Sequence, residues 1–427
     1  MDTLQITLSV IFVLGYAAIA LEHPLRLNKA APAVFISFLI WTILALVYGD
    51  EMAHSFSHHM VDVGNILFFL IGAMAIVEVI DIHEGFRIIT DRIKATSRIK
   101  LYWLIGGISF CLSAVLDNLT TSIVMVALLN KFVAKQEDKW TLAGLVIIAA
   151  NAGGAWSPIG DVTTIMLWVG GQVTAMGVIK SLLLPSIVCL VVAILTLSFT
   201  TSGPIEQVTH KEGPEGGTSH LERWEKNTVF WLGIVSLISV PVFKNYTHLP
   251  PFLGIMGGLG VLVSFTEFIH NRHPKWKARQ HMTISSVLGR IDHTSILFFL
   301  GILLAVGGLG TSGVLALTGK MLDAQIGNIY GITTAIGVLS AIVDNVPLVA
   351  AAMVMYGVEV YQQDHTFWQL LALCAGTGGS ILIIGSAAGV AVMGILKINF
   401  GWYIRKMSLP ATLGYVAAIG TFWLMNH

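Results

Sequence analysis

Ser113-Ala-Val-Leu-Asp117-Asn118-Leu-Thr120-Thr121 sets a carboxylate beside an amide in the middle of a long apolar run. Ser340-Ala-Ile-Val-Asp344-Asn345-Val-Pro347 repeats the arrangement 227 residues later. About thirty-five residues beyond each pair lies a glycine-rich break. The first is Asn151-Ala-Gly153-Gly154-Ala-Trp-Ser157-Pro158-Ile-Gly160-Asp161, and the second is Gly376-Thr377-Gly378-Gly379-Ser380-Ile-Leu-Ile-Ile-Gly385-Ser386. A third landmark, Ile66-Leu-Phe-Phe-Leu70, recurs as Ile296-Leu-Phe-Phe-Leu300 at an offset of 230. Three landmarks in one register read as a duplication of half the chain.

The 427 residues are 55% hydrophobic and only 11% charged, against about 25% charge in a soluble domain. Several apolar runs reach the ~20 residues needed to cross a bilayer. The chain therefore reads as an all-α polytopic membrane protein with the lipid bilayer as its solvent. A net charge of zero offers nothing for a nucleic-acid partner. Cys111, Cys189 and Cys374 lie far apart in apolar sequence and suggest neither disulfides nor a metal cluster. Met1-Asp2-Thr3 lacks a basic n-region, so no cleaved signal peptide is expected.

Candidate spans are 5–21, 31–48, 63–82, 140–170 and 178–200, then 228–243, 251–268, 293–317, 366–396 and 407–425. The polar stretch 201–226 divides the first repeat (1–200) from the second (227–427). Charge decides how the Asp-Asn stretches, 102–133 and 328–357, sit in the membrane. If each enters and leaves on one side, 21 Lys and Arg fall on one face and 3 (Lys180, Lys244, Lys320) on the other. Single crossings give about 13 against 11, which breaks the positive-inside tendency. Each arm is counted at about fourteen residues, short of the ~17 needed to span, so both stretches are expected to be re-entrant hairpins. Each repeat then has five full spans, an odd number. The two repeats are inverted, and both termini lie outside, on the periplasmic side in a bacterial cytoplasmic (inner) membrane. Inverted repeats of this kind are the plan of secondary transporters.

A straight helix over the thirty-one residues of 140–170 or 366–396 would run ~46 Å, against a hydrocarbon core of ~30 Å. Gly-Gly-x5-Gly near the middle of each, with Pro158 in the first, predicts discontinuous helices whose freed backbone groups need partners.

Asp117 and Asp161 are the sharpest functional candidates, because a carboxylate at lipid depth pairs, protonates or binds a cation. Asn118, Thr120, Asn151, Thr163 and Thr164 add the neutral oxygens that a hard monovalent cation prefers. Ser340, Asp344, Asn345, Thr377, Ser380 and Ser386 are the second-half counterparts. Asp161 aligns with Ser386 and Thr120 with Pro347, so the first half is the more anionic and is expected to hold the main site. Structural readings compete at each position: Asn and Thr bond across packed helices, Gly-Gly permits close approach, and Asp344 would serve equally as a helix cap. Glu78, near the end of the third span, is a candidate proton relay or a snorkelling carboxylate. His54, His58 and His59 are placed in a short external loop, where a solvated role competes with pH sensing. No HExxH, Walker A or GxSxG motif occurs, so no enzyme signature is present.

At these residues the sequence resembles the NhaD-type sodium/proton antiporters of the ion transporter superfamily. The likeness spans nearly the whole chain: Asp117-Asn118 and Asp344-Asn345 at the hairpins, Asn151 before the first break, and Asp161-x-Thr163-Thr164 after it. It implies efflux of Na⁺ and Li⁺ driven by inward protons, with no cofactor, and a homodimer. It further implies a scaffold and a mobile, elevator-like part holding the hairpins and broken helices. The family's polar cluster carries over to Asp117, Asn118, Asn151, Asp161, Thr163, Thr164, Ser340, Asp344, Asn345, Ser380 and Ser386. The resemblance makes Asp117, Asn118, Asn151 and Asp161 the expected Na⁺ ligands. Similar carboxylate carriers put Ser-Asn-Thr at the hairpin tips, where an aspartate would repel a carboxylate substrate. A buried carboxylate that holds Na⁺ or H⁺, but not both, couples their movements by competition, and burial is expected to raise its proton affinity. The alternatives are an exporter of arsenite or another anion on the same scaffold, which needs thiols or basic groups at the site, a passive cation channel, and an intramembrane enzyme.

Overall fold

The computed structural model describes residues 2–90, 97–201, 203, 221–272 and 282–427. Most of the linker 201–226 and part of the basic stretches fall outside these. The elements of the first half are α1 Thr3–Ala20, α2 Glu22–Leu25, α3 Ala30–Tyr48, α4 Glu51–Ile82 and α5 Arg87–Thr90. They continue with α6 Arg98–Leu116, α7 Asn118–Phe132, α8 Gln136–Ala155, α9 Val162–Val169 and α10 Ala175–Thr200. The second half begins with α11 Arg223–Thr247, α12 Pro251–Arg272, α13 Ile284–Leu288, α14 His293–Thr311 and α15 Val314–Gln325. It ends with α16 Ile329–Leu339, α17 Asn345–Val360, α18 Thr366–Gly378, α19 Ala387–Leu396, α20 Phe400–Lys406 and α21 Ser408–Asn426. Among the described residues all of these elements are helical. Eight are long and apolar enough to cross a membrane, or nine if α19 and α20, bent by 116°, count as one span.

Two packing groups are visible. In one, α3 packs against α14, and α12 packs against α4 and α11. In the other, α10 packs against α21, α6 against α8, and α16 against α18. Each group draws on both halves of the chain, so neither half can bury its apolar faces alone.

Side-chain bonds fix the directions inside the second group. Arg98 at the start of α6 pairs with Asp138 at the start of α8 across 2.7 Å, and Ser113 near the end of α6 donates to the Ala150 carbonyl at 2.6 Å. Helices α6 and α8 therefore run the same way, and α7 must return between them. Tyr356 on α17 donates to Asp323 at 3.1 Å, just ahead of α16, so the second Asp-Asn stretch doubles back as well.

The interrupted segments run in opposite directions. Gln136 and Trp140 at the start of α8 both donate to the Leu396 carbonyl at the end of α19, each at 3.1 Å. At the far end Asp364, just before α18, accepts from Thr174 N at 2.7 Å and donates to Gln172 O at 2.9 Å.

Several expectations need correction. The arms of the Asp-Asn stretches are unequal: α6 has nineteen residues and meets the length for a span, α7 has fifteen, and α16 and α17 have eleven and sixteen. The extra length of α6 begins at Arg98, which pairs with the buried Asp138. His54, His58 and His59 are helical, not in a loop, because α4 runs on for thirty-two residues from Glu51. Trp41 packs against Phe56 and His59 there, which gives that first turn set a surface to lie on. The expected span 293–317 ends at Thr311, where Gly313 at φ 77° turns the chain into α15.

Candidate functional site

Four non-helical joints meet at the centre of the second packing group. Three of them begin with a side chain that caps the next helix, and Asp344 at the fourth does the same. Asp117 caps α7, accepting from Thr120 N at 2.8 Å and from the Thr120 hydroxyl at 2.9 Å. Asp161 caps α9, accepting from Thr163 N at 2.8 Å and from its hydroxyl at 2.6 Å. Ser386 caps α19 by accepting from Gly389 N at 3.2 Å, and Asp344 caps α17 through Val346 N at 3.3 Å. Carboxylates at helix N-termini are favoured by the positive end of the macrodipole. Four such ends converging on one place make it attractive to negative side chains and to whatever cation they hold.

Close backbone contact explains the glycines. A Cβ on Gly153 would strike the Phe110 carbonyl, and one on Gly378 would strike the Gly337 carbonyl. Gly160 lies against the Ser113 carbonyl and Gly385 against that of Ser340, each leaving a Cβ only 2.6 Å of room. Ser113 donates to Ala150 O at 2.6 Å and Ser340 to Ala375 O at 2.9 Å. The same contacts recur at both joints, in the way each Asp-Asn turn lies on its break.

A continuous polar chain links the halves. The Asn118 amide donates to Asp161 Oδ2 at 2.6 Å and to Asn151 Oδ1 at 2.9 Å. Asn151 in turn donates to the Ser380 hydroxyl at 2.9 Å and the Ser386 hydroxyl at 3.1 Å. Asn345 approaches Asp161 from the second half. Asn118, Asn151, Asp161, Thr163, Thr164, Ser340, Asn345, Thr377, Ser380 and Ser386 are all buried. The Thr164 hydroxyl, on the residue after Thr163, is buried without a hydrogen-bond partner. Asp117, Asn118 and Thr120 border a cavity of about 50 Å³ closed by Phe69, Leu70 and Ile165, room for a water or two.

Asp117 carries backbone strain. Its φ of 82° and ψ of 159° fall in a region that is essentially reserved for glycine and costs about 1–3 kcal/mol. A side chain retained there is doing something that glycine cannot.

Not every candidate joins the cluster. Thr377 is bonded back to the Leu373 carbonyl within its own helix. Glu78 lies on α4, apart from the polar chain, and pairs with Arg290 at 3.5 Å. A basic group reaches the joints from outside the hairpins and breaks: Lys29 extends from the start of α3 to Asp344 Oδ2 at 3.2 Å. Nothing in the order of residues signals that contact, because 315 positions separate the partners. Tyr403, 23 positions from Ser380, donates to its carbonyl at 2.9 Å; no motif in the sequence marked it.

With this geometry in view, the comparisons with known proteins agree. A family model described as Citrate transporter (CitMHS) matches residues 16–371. The chain is 45% identical to "Sodium/proton antiporter 1" of Arabidopsis thaliana over 99% of its length and 73% of that protein. It is 43% identical to "Sodium/proton antiporter 2" of the same plant, over 98% and 99%. The "Na(+)/H(+) antiporter NhaD" of Vibrio cholerae is 31% identical over 98% of this chain and 91% of its own. The chain belongs to the NhaD-type sodium/proton antiporter family.

NhaD-type proteins are transporters, not enzymes, and the family uses no cofactor. The site in this member also distinguishes it from a carrier of carboxylates such as citrate. Lys29 neutralises one aspartate, but among the described residues Asp117 and Asp161 have hydroxyl and amide partners and no basic side chain. Two uncompensated carboxylates repel an anion.

Proposed function

We propose that this protein exchanges cytoplasmic Na⁺, and Li⁺, for external H⁺ by competition at Asp161 and Asp117. The observation that carries the reading is the setting of Asp161. It is a buried carboxylate held by Asn118 and Thr163, with the unpartnered Thr164 hydroxyl three residues along the chain and, among the described residues, no ammonium or guanidinium bonded to it. Such a carboxylate is costly at membrane depth unless a proton or a cation joins it. Asn118, Asn151, Thr163 and Thr164 supply neutral oxygens for a dehydrated Na⁺, and freed carbonyls at the breaks add to the shell. A proton on the carboxylate removes the charge that holds the metal ion, so each expels the other.

Two inverted repeats give the site its alternating access. In support, the broken segments run in opposite directions and the joints have matching contacts. Hairpin α6–α7 enters from the face where Arg98, Arg405 and Lys406 gather, which the positive-inside tendency makes cytoplasmic. Hairpin α16–α17 then enters from the other face, and both termini lie outside. The group built on α3, α4, α12 and α14 serves as scaffold, while the hairpins and broken helices move past it as an elevator. A homodimer through the scaffold follows the family pattern. In a bacterium the setting is the cytoplasmic membrane, where an inward proton gradient drives efflux and so serves pH homeostasis.

Everted vesicles carrying a ΔpH-sensitive dye test the exchange. Na⁺ and Li⁺ should collapse a preformed ΔpH at alkaline pH, and Asp161→Asn and Asp117→Asn should abolish the response. An intact response in both variants, or none in the wild type, rules this function out. Conductive Na⁺ flux without proton movement would indicate a channel.

A further inference from the structure

Asp344 differs from the other aspartates at the joints in having a cation already beside it. The Lys29 ammonium lies 3.2 Å from Asp344 Oδ2 and 4.4 Å from the centre of the Phe298 ring. Both side chains are largely sequestered, at 17% and 14% exposure. The pair borders a cavity of about 60 Å³ that Ser386, Glu22 and Tyr16 also line, and the buried Tyr16 hydroxyl faces the Asp344 backbone. Thus two carboxylates, Asp344 and Glu22, a serine oxygen that belongs to the polar chain, and a buried phenol face one small space with an ammonium in it.

Position adds to this. Lys29 adjoins the start of α3, in the scaffold group that packs on α14. Asp344 opens α17, which packs on α14 and α15 as well as on α9 and α18, and it adjoins Asn345, which approaches Asp161. The pair therefore ties the start of α3 to the second-half joint, and the lysine can be withdrawn without disturbing any bond of the polar chain from Asn118 to Ser386.

We propose that Lys29 is a tethered counter-cation for Asp344, which a transported Na⁺ must displace before the second-half carboxylate can contribute to binding. Lys29 thereby sets the apparent affinity for Na⁺. A charge on a short tether competes at an effective concentration of order millimolar, so it holds the carboxylate until the ion concentration rises. The aromatic face of Phe298 gives the ammonium a second contact, one that Na⁺ does not need. This inference rests on the antiporter reading above.

The test is the Na⁺ dependence of ΔpH collapse in Lys29→Met and Lys29→Gln. Both should exchange with a KM for Na⁺ lowered by about tenfold, the factor that corresponds to roughly 1.4 kcal/mol. Lys29→Arg keeps a cation in place and should stay near the wild type. Adding Asp344→Asn to Lys29→Met should cancel the gain. In the wild-type protein, Na⁺ but not choline should speed reductive methylation of Lys29. That measurement decides the matter even if the neutral variants fail to fold. An unchanged or raised KM in an active neutral variant, or methylation indifferent to Na⁺, overturns the inference. A wild-type protein that exchanges no Na⁺ at all overturns the antiporter reading instead.

Discussion

Asn118 donates to Asp161 across 2.6 Å, which joins the tip of the first Asp-Asn turn to the break in the helix it lies on. The same amide nitrogen donates to Asn151 at 2.9 Å. One side chain therefore determines where the Asp161 carboxylate points and whether the two joints stay in register.

Removing that side chain should cost both stability and transport. Asn118→Ala removes one of the donors to the buried Asp161 carboxylate, a loss of about 1.5–3 kcal/mol for a hydrogen bond to a charged group. Thermal unfolding in detergent should show a lowered Tm, and Na⁺-driven ΔpH collapse should disappear. A variant with full exchange would mean that Asn118 does not position the carboxylate.

Thr164 separates a binding role from a packing role. Its hydroxyl is buried with no partner, so Thr164→Val removes no hydrogen bond and should leave Tm unchanged or slightly raised. If the hydroxyl ligates Na⁺, the same variant should raise the KM for Na⁺ several-fold. Measuring both quantities on one preparation distinguishes the roles, since a packing residue would shift Tm alone.

The glycines at the joints make a steric prediction. Gly153→Ala and Gly378→Ala each push a methyl group into a backbone carbonyl, at Phe110 and Gly337, which has no rotamer to yield. Each should destabilise by about 1–3 kcal/mol. Gly394→Ala, on α19 with open space around it, should be neutral or stabilising by up to about 1 kcal/mol, the helix-propensity gain of alanine over glycine. Chemical denaturation of the three variants checks the contrast.

Outside the spans, Glu84 gives a pH-dependent stability. Partial burial pushes its carboxyl up, but hydrogen bonds from Lys226 at 2.6 Å and Arg87 at 2.9 Å outweigh this and hold it below its ordinary value of 4.5. A carboxyl depressed in the folded state contributes stability that is complete above its unfolded value and fades as pH falls through the folded one. Because the group is about a third exposed, the contribution is at most about 1 kcal/mol. Glu84→Gln should therefore lower Tm at pH 7, with the gap closing below about pH 4.5. A gap that persists at low pH would show that the pairing is not its cause.

The sequence alone carried the helix breaks, because Asp-Asn and Gly-Gly-x5-Gly recur at one spacing and each marks a place where the helices are interrupted. It also carried the membrane class and the residues of the polar chain, since buried carboxylates and helix breaks are conspicuous in apolar sequence. Helix ends were less legible. The extension of α6 back to Arg98 depends on the Asp138 pair, and that of α4 back to Glu51 on packing against Trp41. Neither contact has a local signature.

Which residues meet across the two halves was decided by tertiary structure alone. The Lys29–Asp344 pair and the bonds from Asn151 to Ser380 and Ser386 bring together positions separated by hundreds of residues. Their physical cause is the packing of each half on the other, so that the breaks of two antiparallel segments lie side by side. A carboxylate's place in the chain shows that it needs a partner, but only the folded molecule shows that Asp344 has a lysine while Asp161 has neutral donors alone.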